Sequence, residues 1–394
     1  LTMNGRVLYS AATSDLNNFN EMFNGLSSRI RQSLMTGSAR VRRINVNGYY
    51  SVTWQITPKS TATNLFDCWD FRMPGANIFA TSSYAGASWR AHAGAATTTT
   101  ASDDQFINQK TKTDTFVIAW DVTTRARISV GYRYRSRIIT TGGGDFIPIH
   151  ENWGLFGASL RPTPQLRINV NVDAMYADNA FTRISPRQLQ HYIVRTTYKP
   201  HLWLTFDGTV NIRESRDNVQ TVNHLEHNRD FSFGTSLSPS ERWSLDLNYA
   251  YDSVYSSTLE CYASTPAPPS SGTAPQVCID AGTPWLSTGY YNAPTQFGSI
   301  GFMLAPIKRV RLDGGYRMSA VNGTGDFINI RQVSGSLQSQ FQSPYANLAV
   351  DIAPNWSWHA NYNYYGYGEG SPIGPTRPRS FRGNVYTLAV HYAF

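Results

Sequence analysis

The feature that most constrains the fold of this chain is an alternation of apolar and polar residues with a period of two. Near the C-terminus, Tyr386, Leu388 and Val390 alternate with Thr387 and Ala389. The same alternation recurs in residues 44–56 and 356–364. A helix repeats every 3.6 residues and cannot collect such a set on one side, whereas a β-strand places alternate residues on opposite faces. The pattern therefore predicts an all-β protein.

Short turns separate the alternating segments. Six contain proline, at residues 57–59, 162–164, 199–201, 238–240, 305–307 and 353–355, and a seventh without proline lies at 122–125. Proline suits these places because a turn needs no N–H for the ladder and accepts a fixed φ. The connections at the other end of the hairpins are longer and polar, at residues 13–37, 75–111, 141–149, 177–188, 214–228, 256–294, 322–342 and 368–379. We expect an antiparallel up-and-down meander of about 16 strands, within a range of about 14 to 18, in one domain spanning residues 1–394.

Composition favours a membrane-embedded sheet over a soluble one. Only 15% of residues are charged, against about 25% in ordinary globular chains, and 13% are aromatic. Mean hydropathy is −0.36, and no run of about 18 apolar residues could cross a bilayer as a helix. The strands are about 10 to 12 residues long, which suits a tilted bilayer crossing, and aromatic pairs such as Tyr249 and Tyr251 end the apolar face. Because every backbone polar group needs a partner in lipid, we predict a closed transmembrane β-barrel.

The C-terminal segment carries a family resemblance. Residues 386–394, with alternating apolar positions and a final phenylalanine, are similar to the terminal strand of bacterial outer-membrane proteins. The resemblance implies an outer-membrane location, periplasmic termini and short turns, and extracellular long loops. It also implies that the barrel-assembly machinery reads Leu388, Val390, Tyr392 and Phe394. A second likeness, in residues 181–187 and 198–204, is to the barrels that ensheath multihaem cytochromes in porin–cytochrome conduits.

The residues that alternate with the lipid-facing set are predicted to line the lumen. The basic ones are Arg127, Arg133, Arg135, Arg137, Arg167, Arg195, Arg213, Arg309, Arg311 and Arg317, and the acidic ones are Asp173, Asp207, Asp246, Asp313 and Asp351. Arginines two residues apart repel one another unless water, acids or an anion intervene. The row from Arg127 to Arg137 therefore predicts either a wet lumen that favours anions or a wall braced by aspartates of neighbouring strands. Residues 65–73 and 152–160 do not alternate clearly, which a plug, a partner or a subunit interface would explain.

Other chemistry finds little support. Cys261 and Cys278 lie in one segment rich in proline and serine, which fits a disulfide, while Cys68 stands alone. There is no Cys-x-x-Cys-His motif for covalent haem and no Gly-x-Ser-x-Gly elbow. We therefore expect no enzyme activity, no metal site and no cofactor bound by this chain. Nucleic-acid binding is disfavoured because the arginines and the aromatic residues lie on opposite faces.

Three functional classes follow from this sequence. The first is a porin-like channel for small hydrophilic or anionic solutes. The second is a sheath that holds a periplasmic multihaem cytochrome, with haem supplied only by that partner. The third is a structural or surface-assembly barrel that acts through its loops. The expected partners are outer-membrane lipid, the barrel-assembly machinery, and either a multihaem cytochrome or copies of the same chain.

Overall fold

The computed structural model describes the chain outside residues 25–29, 86–96, 104–106, 142–145, 183, 220–221, 263–284, 327–336, 371–377 and 393–394. Two compact units form, one from residues 1–118 and 132–152 and the other from residues 119–131 and 153–394. None of the described segments forms a helix with the length and hydropathy required to span a bilayer. The single domain and the closure of the sheet into a barrel remain predictions.

The described residues form an all-β, antiparallel up-and-down sheet of 19 strands. The strands are β1 (Thr2–Asn24), β2 (Ile30–Thr57), β3 (Ser60–Met73), β4 (Gly75–Ala85), β5 (Thr97–Asp103), β6 (Ile107–Thr123), β7 (Ala126–Thr140), β8 (Phe146–Thr163), β9 (Leu166–Ala177), β10 (Gln188–His201), β11 (Leu204–Asp217), β12 (His224–Ser240), β13 (Trp243–Tyr262), β14 (Trp285–Ile307), β15 (Val310–Asn322), β16 (Thr324–Asp326), β17 (Gln338–Ala353), β18 (Trp356–Glu369) and β19 (Ser380–Tyr392).

The predicted number of about 16 strands is wrong, since the described residues contain 19. The three additional strands are β4, β5 and β16. Pro74 separates β3 from β4 because proline has no N–H for the ladder, and both strands pair with β2. Gly323 separates β15 from β16, and both pair with β14. Strand β5 pairs with β4 and ends at Asp103, shortly before β6 begins at Ile107.

The described two-residue turns lie at or just beyond the predicted sites, at 58–59, 124–125, 164–165, 202–203, 241–242, 308–309 and 354–355. Pro200, Pro239 and Pro306 occupy strand ends where the ladder shifts register, so their missing N–H costs no regular hydrogen bond. The residue before each proline donates its N–H to the second residue of the preceding turn. These bonds join Lys199 to Gln165 (2.8 Å), Ser238 to Trp203 (2.8 Å) and Ala305 to Arg242 (2.6 Å). The hairpins are therefore repeats of one unit.

The predicted long connections were too long, because strands occupy much of them. Residues 13–37 belong mainly to β1 and β2, whose pairing continues from Ser14 opposite Val41 to Asn20 opposite Thr36, with a register shift between Leu16 and Phe19. Strand β13 likewise extends to Tyr262, and β14 begins at Trp285. Alternation reveals only those parts of a strand that have one apolar face. Strand ends that are polar on both faces therefore look like loops in the sequence.

Each unit has a sheet with one apolar and one polar face. In the second unit, residues directly opposite in neighbouring strands form apolar rows such as Val350, Trp358 and Val390. A polar row runs through Arg167, Thr197, Asp207, Gly234, Asn248, Ser299, Arg317 and Ser343. Many of the apolar side chains are exposed, with Leu388 at 72%, and only eight of the described hydrophobic residues are buried. The described part of the chain therefore has no conventional hydrophobic core.

The two segments without clear alternation also have definite faces. In β3, Phe66 and Cys68 lie opposite Tyr50 and Gly48 on the apolar face. Trp69 lies on the polar face, donates its indole N–H to Asn45 and stacks on Phe71, with ring centroids 5.6 Å apart. In β8, Ser159 donates to Asn169 on the polar face (2.9 Å), while Phe156 is exposed on the other face.

Candidate functional site

The polar faces of the two units are the candidate functional surfaces, and their charges fall into three arrangements, each within one unit. The first is an ion-pair cluster in the first unit, on β7 and β8. Arg135 donates its Nε–H to Oε2 of Glu151 (2.6 Å), and Arg137 Nη2 lies 2.8 Å from Oε1 of the same residue. Arg133 donates to the hydroxyl of Thr115 (3.1 Å). The Glu151 side chain is only 1% exposed, so its charge requires partners of this kind.

Glu151 was missed by the sequence analysis. It precedes a segment that is mildly apolar on both faces, and aspartates of neighbouring strands were the predicted partners of the arginine row. The sequence signal for this pairing was a single carboxylate, Glu151, in the strand that follows the arginine-rich strand β7. A single buried carboxylate contacts two guanidinium groups, so it braces this part of the wall.

The second arrangement is a row of paired polar groups across the second unit. His191 Nε2 lies 2.8 Å from Oδ1 of Asn211, whose amide donates to Asp230 (2.9 Å). Asp230 lies opposite Asp252. This network links β10 to β13 and stiffens the sheet without a net positive charge.

The other predicted lining residues are divided among local partners. Arg311 donates to Asp313 in its own strand (3.0 Å), Thr197 donates to Asp207 (2.7 Å), and the Arg317 guanidinium lies 4.7 Å from the Tyr345 ring centroid. Asp173 and Arg213 lie opposite His191, Asp246 lies opposite Gly301, and Asp351 lies opposite Ser357. Arg309 lies in the turn 308–309, where its carbonyl accepts from the N–H of Asp351 (2.8 Å). Among these residues, Arg309 is therefore outside the strand face.

The third arrangement surrounds a cavity of about 360 Å³ in the second unit. Arg127, Arg167 and Arg195 line it together with serine and asparagine side chains. Arg127 also lies 3.7 Å from Asp121. All three arginines were predicted to line the lumen, but their meeting was not predicted, because it depends on the registers of β9 and β10.

A larger cavity, of about 450 Å³, belongs to the apolar face. Gln340, Tyr364 and Arg382 line it, and Gly366 and Gly368 leave room for it by carrying no side chain. It lies at the strand ends far from the short turns. It is therefore separate from the charged arrangements of the polar face.

The remaining site predictions have mixed outcomes. Leu388, Val390 and Tyr392 lie on the apolar face of β19, opposite Ala360, Trp358 and Trp356. Their reading by an assembly machine remains a prediction, and Phe394 lies outside the described residues. The predicted disulfide also falls outside them, because neither the side chain of Cys261 nor Cys278 is described; Cys68 carries a free thiol. Among the described residues, no group of three His, Cys, Asp or Glu side chains could hold a metal ion.

No family model matches this chain, and no curated protein matches it. Among solved structures, the FrpB iron transporter from Neisseria meningitidis (F3-3 variant) aligns over 99% of this chain and 70% of its own, with 10% identity and a TM-score of 0.45. The siderophore receptor PirA from Pseudomonas aeruginosa aligns over 100% and 80%, with 10% identity and a TM-score of 0.38. The outer membrane transporter YddB from Escherichia coli aligns over 97% and 68%, with 10% identity and a TM-score of 0.40. These scores are too low to establish a shared fold or to assign a substrate.

Proposed function

We propose that this chain is a porin-like β-barrel of the bacterial outer membrane that passes small hydrophilic or anionic solutes. In this proposal the sheet closes on itself in the membrane, with its apolar face toward lipid and its polar face toward the lumen. The observation that carries the proposal is the two-faced sheet, because an exposed apolar face opposite a charged face suits lipid on one side and water on the other.

The dimensions of the apolar band support a membrane crossing. On β13 the apolar face carries Trp243, Leu245, Leu247, Tyr249 and Tyr251, and polar Ser253 follows. A strand of about 9 to 11 residues crosses the hydrocarbon region at a tilt of about 45°, which matches this band. Aromatic residues stand at both ends of it, where the lipid headgroups begin. The rest of β13 then extends into water on the far side.

The orientation follows from the resemblance of the last strand to outer-membrane proteins. Met3 pairs near the turn 58–59, and Tyr392 pairs with Trp356 beside the turn 354–355. In each unit the described end of the chain therefore lies beside the short turns. We place both termini and these turns in the periplasm, and the extended hairpins outside the cell. The barrel-assembly machinery would read the apolar residues of β19.

The polar face supports anion preference. The chain carries a formal net charge of +8, and Arg127, Arg167 and Arg195 lie together on the polar face of the second unit. A wall with excess positive charge raises the local concentration of anions. We expect purified protein in a planar bilayer under a KCl gradient to give a reversal potential with the same sign as the chloride equilibrium potential. Cation preference would contradict the anion selectivity, and absence of conductance would contradict the channel itself.

The same purification tests the sheath for a multihaem cytochrome. A haem absorbance band that travels with the protein through two chromatographic steps, together with absence of conductance, would replace the channel with the sheath. Liposome swelling in the presence of small sugars, without such a band, supports the channel.

A further inference from the structure

We infer that the cavity lined by Arg127, Arg167 and Arg195 is a binding site for a phosphate group, either as inorganic phosphate or on a small solute. This inference rests on the proposed function, because it names the class of solute that the polar face retains. The site lies near the short turns, with Arg127 two residues after the turn 124–125 and Arg167 two residues after the turn 164–165.

The strand registers bring two of the guanidinium groups to the same place. Arg167 lies opposite Thr197, and Arg195 lies opposite Asn169. Arg167 and Arg195 are thus diagonal neighbours on one face, and diagonal neighbours in antiparallel strands are about 7–8 Å apart, within reach of long side chains. Arg127 approaches the same cavity from β7. Three guanidinium groups from three strands can therefore surround one small anion.

Neutral hydrogen-bond donors complete the lining. Ser159 donates its hydroxyl to Oδ1 of Asn169 (2.9 Å), which leaves the amide N–H groups of Asn169 available to a ligand. Gly157 forms part of the wall. A Cβ at this position would lie 2.5 Å from Oγ of Ser129 and 3.5 Å from Oδ1 of Asn171, so the missing side chain makes space for these two polar groups.

The charge of the cavity selects an anion. No carboxylate is among its described lining residues. Two carboxylates lie nearby. Asp121 is 3.7 Å from Arg127, and Asp207 accepts a hydrogen bond from the hydroxyl of Thr197. An adjoining cavity of about 180 Å³ shares Arg127 and adds Arg125 from the turn 124–125 and Arg161 from β8, with Asp121 as the one carboxylate among its described lining residues. The excess of guanidinium groups favours a multivalent anion over chloride.

Guanidinium chemistry narrows the class of anion further. The planar fork of arginine donates two parallel hydrogen bonds to phosphate oxygens, a geometry that spherical chloride cannot use. A volume of about 360 Å³ lies within the usual size range of small-molecule sites. It therefore has room for a phosphate group together with water or a small organic moiety.

The test is a calorimetric titration of the whole protein in detergent with inorganic phosphate. We expect one saturable site whose affinity falls about tenfold or more in Arg167→Gln and in Arg195→Gln, because each substitution removes a charge-assisted hydrogen-bond donor. The matched control is Arg311→Gln, which removes an arginine of the same face that is bonded to Asp313; it should leave phosphate affinity unchanged. Heat-modifiable migration on gels confirms that each variant is folded.

Two results would overturn the site: no phosphate binding at millimolar concentration, or equal weakening in all three variants. Conductance separates this inference from the proposed channel. Chloride current that phosphate does not reduce overturns the phosphate site and leaves the channel standing. Saturable binding that requires Arg167 and Arg195, in a protein without conductance, supports the site and contradicts the channel.

Discussion

Replacement of Glu151 by glutamine is expected to destabilise the protein markedly. The substitution replaces the carboxylate that contacts both Arg135 and Arg137 with a neutral amide of the same size. Removal of one partner from a buried ion pair costs about 3–5 kcal/mol. The two arginine side chains are 33% and 25% exposed, so water recovers part of that cost. We therefore expect a loss of about 2–3 kcal/mol in the free energy of unfolding.

The measurement is equilibrium unfolding in urea of refolded protein in lipid vesicles, followed by tryptophan fluorescence. The control is Glu214→Gln, because Glu214 contacts Arg229 at a similar distance (2.6 Å) but both side chains are more than 40% exposed. An exposed pair of this kind contributes less than about 1 kcal/mol. If the two variants lose the same stability, or if Glu151→Gln unfolds like the wild type, burial does not decide the strength of these pairs.

Two further predictions concern pH and close packing. Hydrogen bonds from the Arg379 side chain and backbone hold the pKa of Glu369, at the end of β18, at about 2. The contribution of ionised Glu369 to stability is therefore complete above about pH 4.5 and is lost as the pH falls toward 2. The difference in urea midpoint between the wild type and Glu369→Gln should accordingly shrink over this pH range. A difference that persists at pH 2 would contradict the assignment. Gly315→Ala should cost about 1–3 kcal/mol in the same assay, because its Cβ would lie 2.3 Å from the carbonyl oxygen of Ile300. Gly208→Ala should be nearly neutral, since its Cβ would meet no atom within 4 Å. Equal losses of stability in the two variants would rule out the close approach of Gly315 to Ile300.

Much of the fold was predictable because the two faces of many strands differ in polarity. The alternation of Leu388 and Val390 with Thr387 and Ala389 places the first two residues on the face of Trp358, as the register shows. Strand interruptions were harder to predict. The residues on both sides of Pro74 continue as strand, so a single proline changed the count without marking a turn.

The charged sites were only partly predictable because they depend on register between strands. Which arginines lie on the polar face follows from the period of two, but the meeting of Arg167 with Arg195 depends on the pairing of β9 with β10. Glu151 shows the same limit, since its burial and its two partners arise only when β7 and β8 are side by side. Alternation assigns a residue to a face, whereas the register decides its neighbours.

The measurement that tests the central claim most directly is the environment of alternate residues of β19 in a bilayer. Nitroxide labels are attached one at a time at positions 387 to 390 in a background without the three native cysteines, and their collisions with oxygen and with a water-soluble nickel complex are compared. Labels replacing Leu388 and Val390 should collide mainly with oxygen dissolved in lipid, and those replacing Thr387 and Ala389 mainly with the nickel complex. Equal access of nickel to all four positions, or the reverse alternation, would contradict a membrane-spanning sheet with a polar interior.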